Sequence, residues 1–254
     1  MFSLVSLLVV AALVSLHSVH TYAQIERKLE MDNNLLPNDI PPPRRRVVQK
    51  YVKITSHPPE TVRHMPGSTL VLECEVMGNP APMSSWMKNG IPISDFEEDV
   101  NEIFSPPTFS IARMTTKLVV RSPSNGDVFT CVATAGLRET SASTTVIVEG
   151  EQSDLLSPLI PTKPVITAFY NDIFQLMGTS ATLPCRVYSP TKAQVYWIDN
   201  NNKLIYGNSR VRVLPSGDLH IKAISWADMG GYTCSAKNAY GKDVAETFLY
   251  PVKP

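Results

Sequence analysis

Apolar and polar residues alternate with a period of two around two of the cysteines. Leu70, Leu72, Cys74 and Val76 form one such series, and Ala181, Leu183, Cys185 and Val187 form another. Side chains two apart share one face of a strand, so each series predicts a strand buried on one side. "TKLVV" (residues 116–120) and "DLHI" (residues 218–221) alternate in the same way, each ahead of a strand that carries a further cysteine. Near the end of the chain, Ala245, Thr247 and Leu249 read as inward and Phe248 and Tyr250 as outward. The pattern predicts an all-β protein.

The strand pattern also repeats on a larger scale. "CEVMGNPAPMSSW" starts at Cys74 and "CRVYSPTKAQVYW" at Cys185; each places a tryptophan, Trp86 or Trp197, twelve residues after its cysteine. A second cysteine follows the first after about 50 to 60 residues, the arrangement of immunoglobulin-type sandwiches. Counting alone allows three disulfide connectivities. The sandwich pattern selects Cys74 with Cys131 and Cys185 with Cys234, each pair joining the two sheets of one domain with its tryptophan packed against it. In "DMGGYTC" (residues 228–234), Tyr232 stands two positions before Cys234, where its ring points inward and its hydroxyl reaches back to the preceding corner. The first half has Phe129 at that position, so its corner lacks this hydrogen bond and is expected to be looser. The expected fold is two tandem immunoglobulin-like β-sandwiches of the I-set/C2 type, over residues 51–149 and 164–254.

The remaining segments are organised around these domains. Residues 4–16 are an apolar run too short to span a bilayer, followed by a small-residue site ending at Ala23, so residues 1–23 read as a secretory signal peptide. Residues 24–50 are a polar, proline-rich tail with the triplet Arg44, Arg45, Arg46, which a processing protease or a sulfated polysaccharide could recognise. Residues 150–163 form a linker whose Leu155, Leu156, Leu159 and Ile160 are expected to dock and restrict the domains. No second apolar run and no apolar tail follow, so a secreted, extracellular protein without membrane insertion is expected. An even cysteine count suits that oxidising route.

Composition narrows the function. With 23 basic against 23 acidic residues, no overall field favours nucleic acid. Beyond the signal peptide the histidines are His57, His64 and His220, in no metal-ligand or nucleophile-base spacing, and phosphate-loop and serine-elbow motifs are absent. The carboxylates Asp95, Glu97, Glu98, Asp99 and Glu102 lack the glycine-centred spacing of a calcium loop. No cofactor, metal or enzymatic activity is expected. Binding is expected instead, through outward residues of the sheets: Tyr196, Ile198, Phe248 and Tyr250 in the second domain, and Met87 and Val132 in the first, beside Val128 and Ile147. Such apolar faces need a cover, which could be the other domain, a second copy forming a homodimer, or a ligand.

"LMGTSATLPCRV", "RVLPSGDLHI", "ISWADMGGYTC" and "NAYGKDVAETFLYPV" closely resemble the second domain of the insect neural/ectodermal development factors, or imaginal morphogenesis late proteins. The first domain resembles that family more loosely, through "PPE", "CEVMG", Trp86 and the acidic loop. The resemblance implies a secreted two-immunoglobulin-domain protein that sequesters insulin-like peptides and antagonises growth signalling. The matching motifs belong to the scaffold and transfer no hormone-contact residue. A secreted adhesion or axon-guidance module is the alternative on the same fold.

Overall fold

The computed structural model describes residues 49–93, 110–150 and 161–253. The signal-peptide, tail, acidic-loop and linker-aliphatic readings fall outside those residues. The first half contributes β1 (Tyr51–Ser56), β2 (Thr61–His64), β3 (Leu70–Asn79), β4 (Met83–Lys88), β5 (Ile91–Pro92), β6 (Ser110–Val120), β7 (Val128–Ala135) and β8 (Arg138–Val148). The second contributes β9 (Val165–Leu176), β10 (Ala181–Leu183), β11 (Arg186–Tyr188), β12 (Gln194–Ile198), β13 (Val211–Val213), β14 (Leu219–Ile221), β15 (Gly230–Asn238) and β16 (Gly241–Val252). The architecture is all-β, two sandwiches in one chain.

Each sandwich closes over an inter-sheet disulfide, Cys74–Cys131 in the first and Cys185–Cys234 in the second. Trp86 and Trp197 are buried beside them. Their indole N–H groups are satisfied in different ways: Trp86 donates to the Thr116 hydroxyl at 3.1 Å, Trp197 to the Gly217 carbonyl at 2.8 Å. A buried indole needs such a partner, because an orphaned donor would forfeit much of what the ring contributes by leaving water.

The two corners before the second cysteines are fastened by different groups. In the second half, the buried Tyr232 hydroxyl donates to the Asp228 carbonyl at 3.1 Å. The Asp228 carboxylate ties the same corner to Arg210 through contacts of 2.9 and 2.7 Å and accepts the Ser225 N–H at 2.8 Å. In the first half Phe129 has no hydroxyl, and Asp127 takes over. Its carboxylate accepts the Ser124 N–H at 2.7 Å and an Asn89 amide hydrogen at 3.1 Å, and pairs with Lys88 at 2.8 Å. The looseness expected at Phe129 is thereby offset by a buried carboxylate. Tyr232→Phe should cost about 1 kcal/mol in chemical denaturation, the worth of one buried hydrogen bond.

Burial raises the Asp228 carboxyl, but hydrogen bonds from Arg210 and Ser225 and the Arg210 charge outweigh it and hold the group below its ordinary 3.8. A depressed carboxyl stabilises the fold above its unfolded value and loses that contribution as pH falls through its folded value. Thermal melts should therefore show stability declining below pH 3.8. Asp228→Asn should be less stable at neutral pH and flatter in the acid range; an acid slope unchanged in the variant would contradict the assignment.

Candidate functional site

The halves join edge to edge. Strand β6 pairs antiparallel with β9, from Ser110 opposite Gln175 to Thr116 opposite Ala168. One sheet therefore runs β1-β3-β6-β9-β16-β15-β12 through both halves. Buried Ala112 on β6 lies opposite buried Ile173 on β9, which in turn lies beside buried Leu249 on β16. Paired residues point to the same side of a sheet, so both cores lie on one side of the shared sheet. The covering sheets, β2-β8-β7-β4-β5 and β10-β14-β13, occupy that side. The other side is a single outward face built from both halves.

An irregularity in β9 shapes that face. Arg113 pairs with Asp172 and Met114 with Tyr170, leaving Asn171 as an extra residue whose side-chain oxygen accepts the Thr115 hydroxyl at 2.9 Å. Because of this bulge, Phe169 and Phe174 point the same way although they are an odd number of residues apart. Phe174 sits against Tyr250 with ring centroids 5.4 Å apart, and Trp226 meets the same Tyr250 edge-on at 5.7 Å. Trp226 belongs to a short 3-10 turn, Trp226–Asp228. The cluster is open to solvent: Trp226 is 50%, Phe248 43% and Phe174 39% exposed. Polar pairs flank it. Arg113 bridges Asp172 at 2.8 Å, Lys117 pairs with Glu73 at 3.3 Å, and the Lys242 ammonium lies 5.3 Å from the Tyr196 ring centroid. The neighbouring Lys242 ammonium, with the charge of Lys237, holds the Tyr196 phenol below its ordinary range.

The residues singled out from the sequence divide between two surfaces. Tyr196 and Ile198 on β12 and Phe248 and Tyr250 on β16 share the outward face, separated by Thr233, Ser235 and Gly231 of β15. Met87 and Val132 lie elsewhere, on the outer side of the β2-β8-β7-β4-β5 sheet, and Val132 is buried with only 7% exposed. Phe174, Phe169, Ile111 and Trp226 were not anticipated. The alternating run "VITAFYNDIFQL" was a usable signal for β9, but the bulge at Asn171 breaks its parity. Among the described residues no group of three His, Cys, Asp or Glu is placed to hold a metal ion, and no helix is long and apolar enough to cross a membrane.

The immunoglobulin domain model matches residues 53–134 and 163–238. Neural/ectodermal development factor IMP-L2 of Drosophila melanogaster is 34% identical over 229 residues, covering 88% of this chain and 85% of that protein. The chain belongs to this immunoglobulin-domain family. Zwei Ig domain protein zig-4 of Caenorhabditis elegans is 35% identical over 73% of this chain and 74% of its own length. The crystal structure of neural ectodermal development factor IMP-L2 matches with a TM-score of 0.68 at 32% identity, over 81% of this chain and 96% of that one. One half is too small a share of the chain to give that score. The relative placement of the two halves is therefore common to this chain and to IMP-L2. Membership of this family points to a binding protein rather than to catalysis.

Proposed function

We propose that this protein is a secreted antagonist that sequesters insulin-like peptide hormones, and that the outward face of the shared sheet is the hormone contact. The observation that carries the reading is the exposed aromatic cluster of Phe174, Trp226, Phe248 and Tyr250 between charged pairs, on a surface built by both halves. Peptide hormones engage receptors through a few aliphatic and aromatic side chains, and a competing binder needs a desolvating centre with a polar rim. The two disulfides and the signal-peptide reading support an extracellular site of action. The half-buried Tyr196 and Ile198 extend the same surface. Half-buried Met87 and buried Val132, on the other sheet, are no part of this surface.

Titration calorimetry of the purified protein against a panel of insulin-like peptides should give a one-to-one complex. Absence of binding at concentrations on the order of micromolar, about −8 kcal/mol, would transfer the function to the adhesion or axon-guidance class. Sedimentation of the protein alone distinguishes a third occupant of the face, because a second copy would appear as a homodimer.

A further inference from the structure

The shared sheet has a consequence on its covered side. Two separate covering sheets rest on it, and a cavity of about 330 Å³ lies at their boundary. Its wall in the first half comes from β4, with Ser84 and Trp86, and its wall in the second from Thr182, Pro184 and Arg186. Met114, Thr116, Ala168 and Tyr170 of the seam strands line it between them. Strand β9 pairs with β11 from Val165 to Ala168 and with β6 from Ala168 to Gln175, so Ala168 faces a partner in each half. The Tyr170 hydroxyl spans the boundary by donating to the Pro82 carbonyl at 3.2 Å.

Apolar surface dominates the cavity, interrupted by serine and threonine hydroxyls, the Tyr170 phenol, Lys117, Arg186 and Asp218. The Ser84 hydroxyl oxygen is buried with no hydrogen-bond partner. The Asp218 carboxylate lies behind Arg186, accepting its guanidinium at 2.7 Å and the Cys185 N–H at 2.9 Å. Asp218 lines the cavity as well, but its side chain is 6% exposed against 31% for Arg186, so the cation is the more accessible member of the pair. Lys117 also contributes to the lining, with its ammonium engaged by Glu73 on the outward side. A mainly apolar chamber whose more accessible charge is the Arg186 guanidinium, with the unsatisfied Ser84 hydroxyl in its wall, matches a ligand with an apolar body and one anionic head. At about 30 Å³ per water-sized unit, the volume admits an occupant of roughly ten non-hydrogen atoms.

We propose that the cavity between the two covering sheets is a binding site for a small apolar carboxylate, whose head meets Arg186 and Ser84 and whose body lies against Trp86, Met114 and Ala168. Such a ligand touches both halves and clamps their junction. The site lies on the opposite side of the shared sheet from the aromatic cluster, so the proposal is independent of hormone binding.

Octanoate is the probe and 1-octanol its uncharged counterpart. Calorimetry on the full chain should show saturable one-to-one binding of octanoate, with 1-octanol weaker by about tenfold, the worth of one charge-assisted contact. Trp86 fluorescence should respond, and melting should rise with octanoate concentration, because a ligand bound only to the folded state stabilises it. Ala168→Phe, which fills the chamber, should abolish binding; Ser84→Ala should weaken it by several-fold, about 1 kcal/mol on conversion. The Ser84 variant and the alcohol comparison stand even if Ala168→Phe fails to fold. No saturable octanoate binding, unchanged binding in a folded Ala168→Phe variant, or equal binding of acid and alcohol would each overturn the proposal.

Discussion

Replacing Tyr170 with alanine should cost about 3–5 kcal/mol, the range for emptying a buried aromatic site. The ring is 1% exposed, its hydroxyl donates to Pro82 of the first half, and its carbonyl accepts the Thr247 hydroxyl of β16. It therefore joins three elements that belong to different halves. Removing it creates a void beside the β6–β9 seam and leaves the Pro82 carbonyl without that donor. Because the seam makes one sheet of the two sandwiches, the unaltered protein should unfold in a single cooperative transition. The alanine variant should split into two, as the coupling between halves weakens. Tyr170→Phe removes only the hydroxyl and should cost about 1 kcal/mol. Chemical denaturation followed by both far-ultraviolet dichroism and tryptophan fluorescence reads all three outcomes. A single transition in the alanine variant with a loss under about 1 kcal/mol would mean that backbone pairing alone carries the coupling.

Truncating Phe248 to alanine should weaken hormone binding by on the order of 2 kcal/mol, as loss of a central aromatic anchor does. Its side chain is 43% exposed on the outward face, so stability should change by no more than about 0.5 kcal/mol. Tyr250 differs because it packs against both Phe174 and Trp226. Tyr250→Ala should weaken binding by a similar amount and also lower stability by about 1 kcal/mol, from the lost ring contacts. Calorimetry and melting on both variants separate the two contributions. Full affinity in a folded Phe248→Ala protein would remove the aromatic cluster from the hormone contact.

The all-β class and the two-immunoglobulin organisation were legible because both rest on local regularities. Period-two alternation records which side of a strand is buried, and the paired Cys and Trp positions record a sandwich that closes over a disulfide. Tyr232 was readable for the same reason, since its role is met by Asp228 four residues away. Phe129 shows where such reading runs short. The missing hydroxyl was evident, but its replacement is Asp127 acting with Asn89 and Lys88, about forty positions distant in the chain.

The composite face is a different kind of fact. Alternation along β12 and β16 assigns Tyr196, Ile198, Phe248 and Tyr250 a direction relative to their own sheet, but it carries no information about which sheet lies next to which. Edge pairing of β6 with β9 makes the two halves one surface and leaves the cavity between their covers. Backbone N–H and C=O groups effect that pairing, and they are the same in every residue except proline. Side-chain pattern thus determined each sandwich and the inward or outward sense of its strands. The register of β6 against β9, and the bulge at Asn171 that turns Phe169 and Phe174 the same way, were decided only when the whole chain packed.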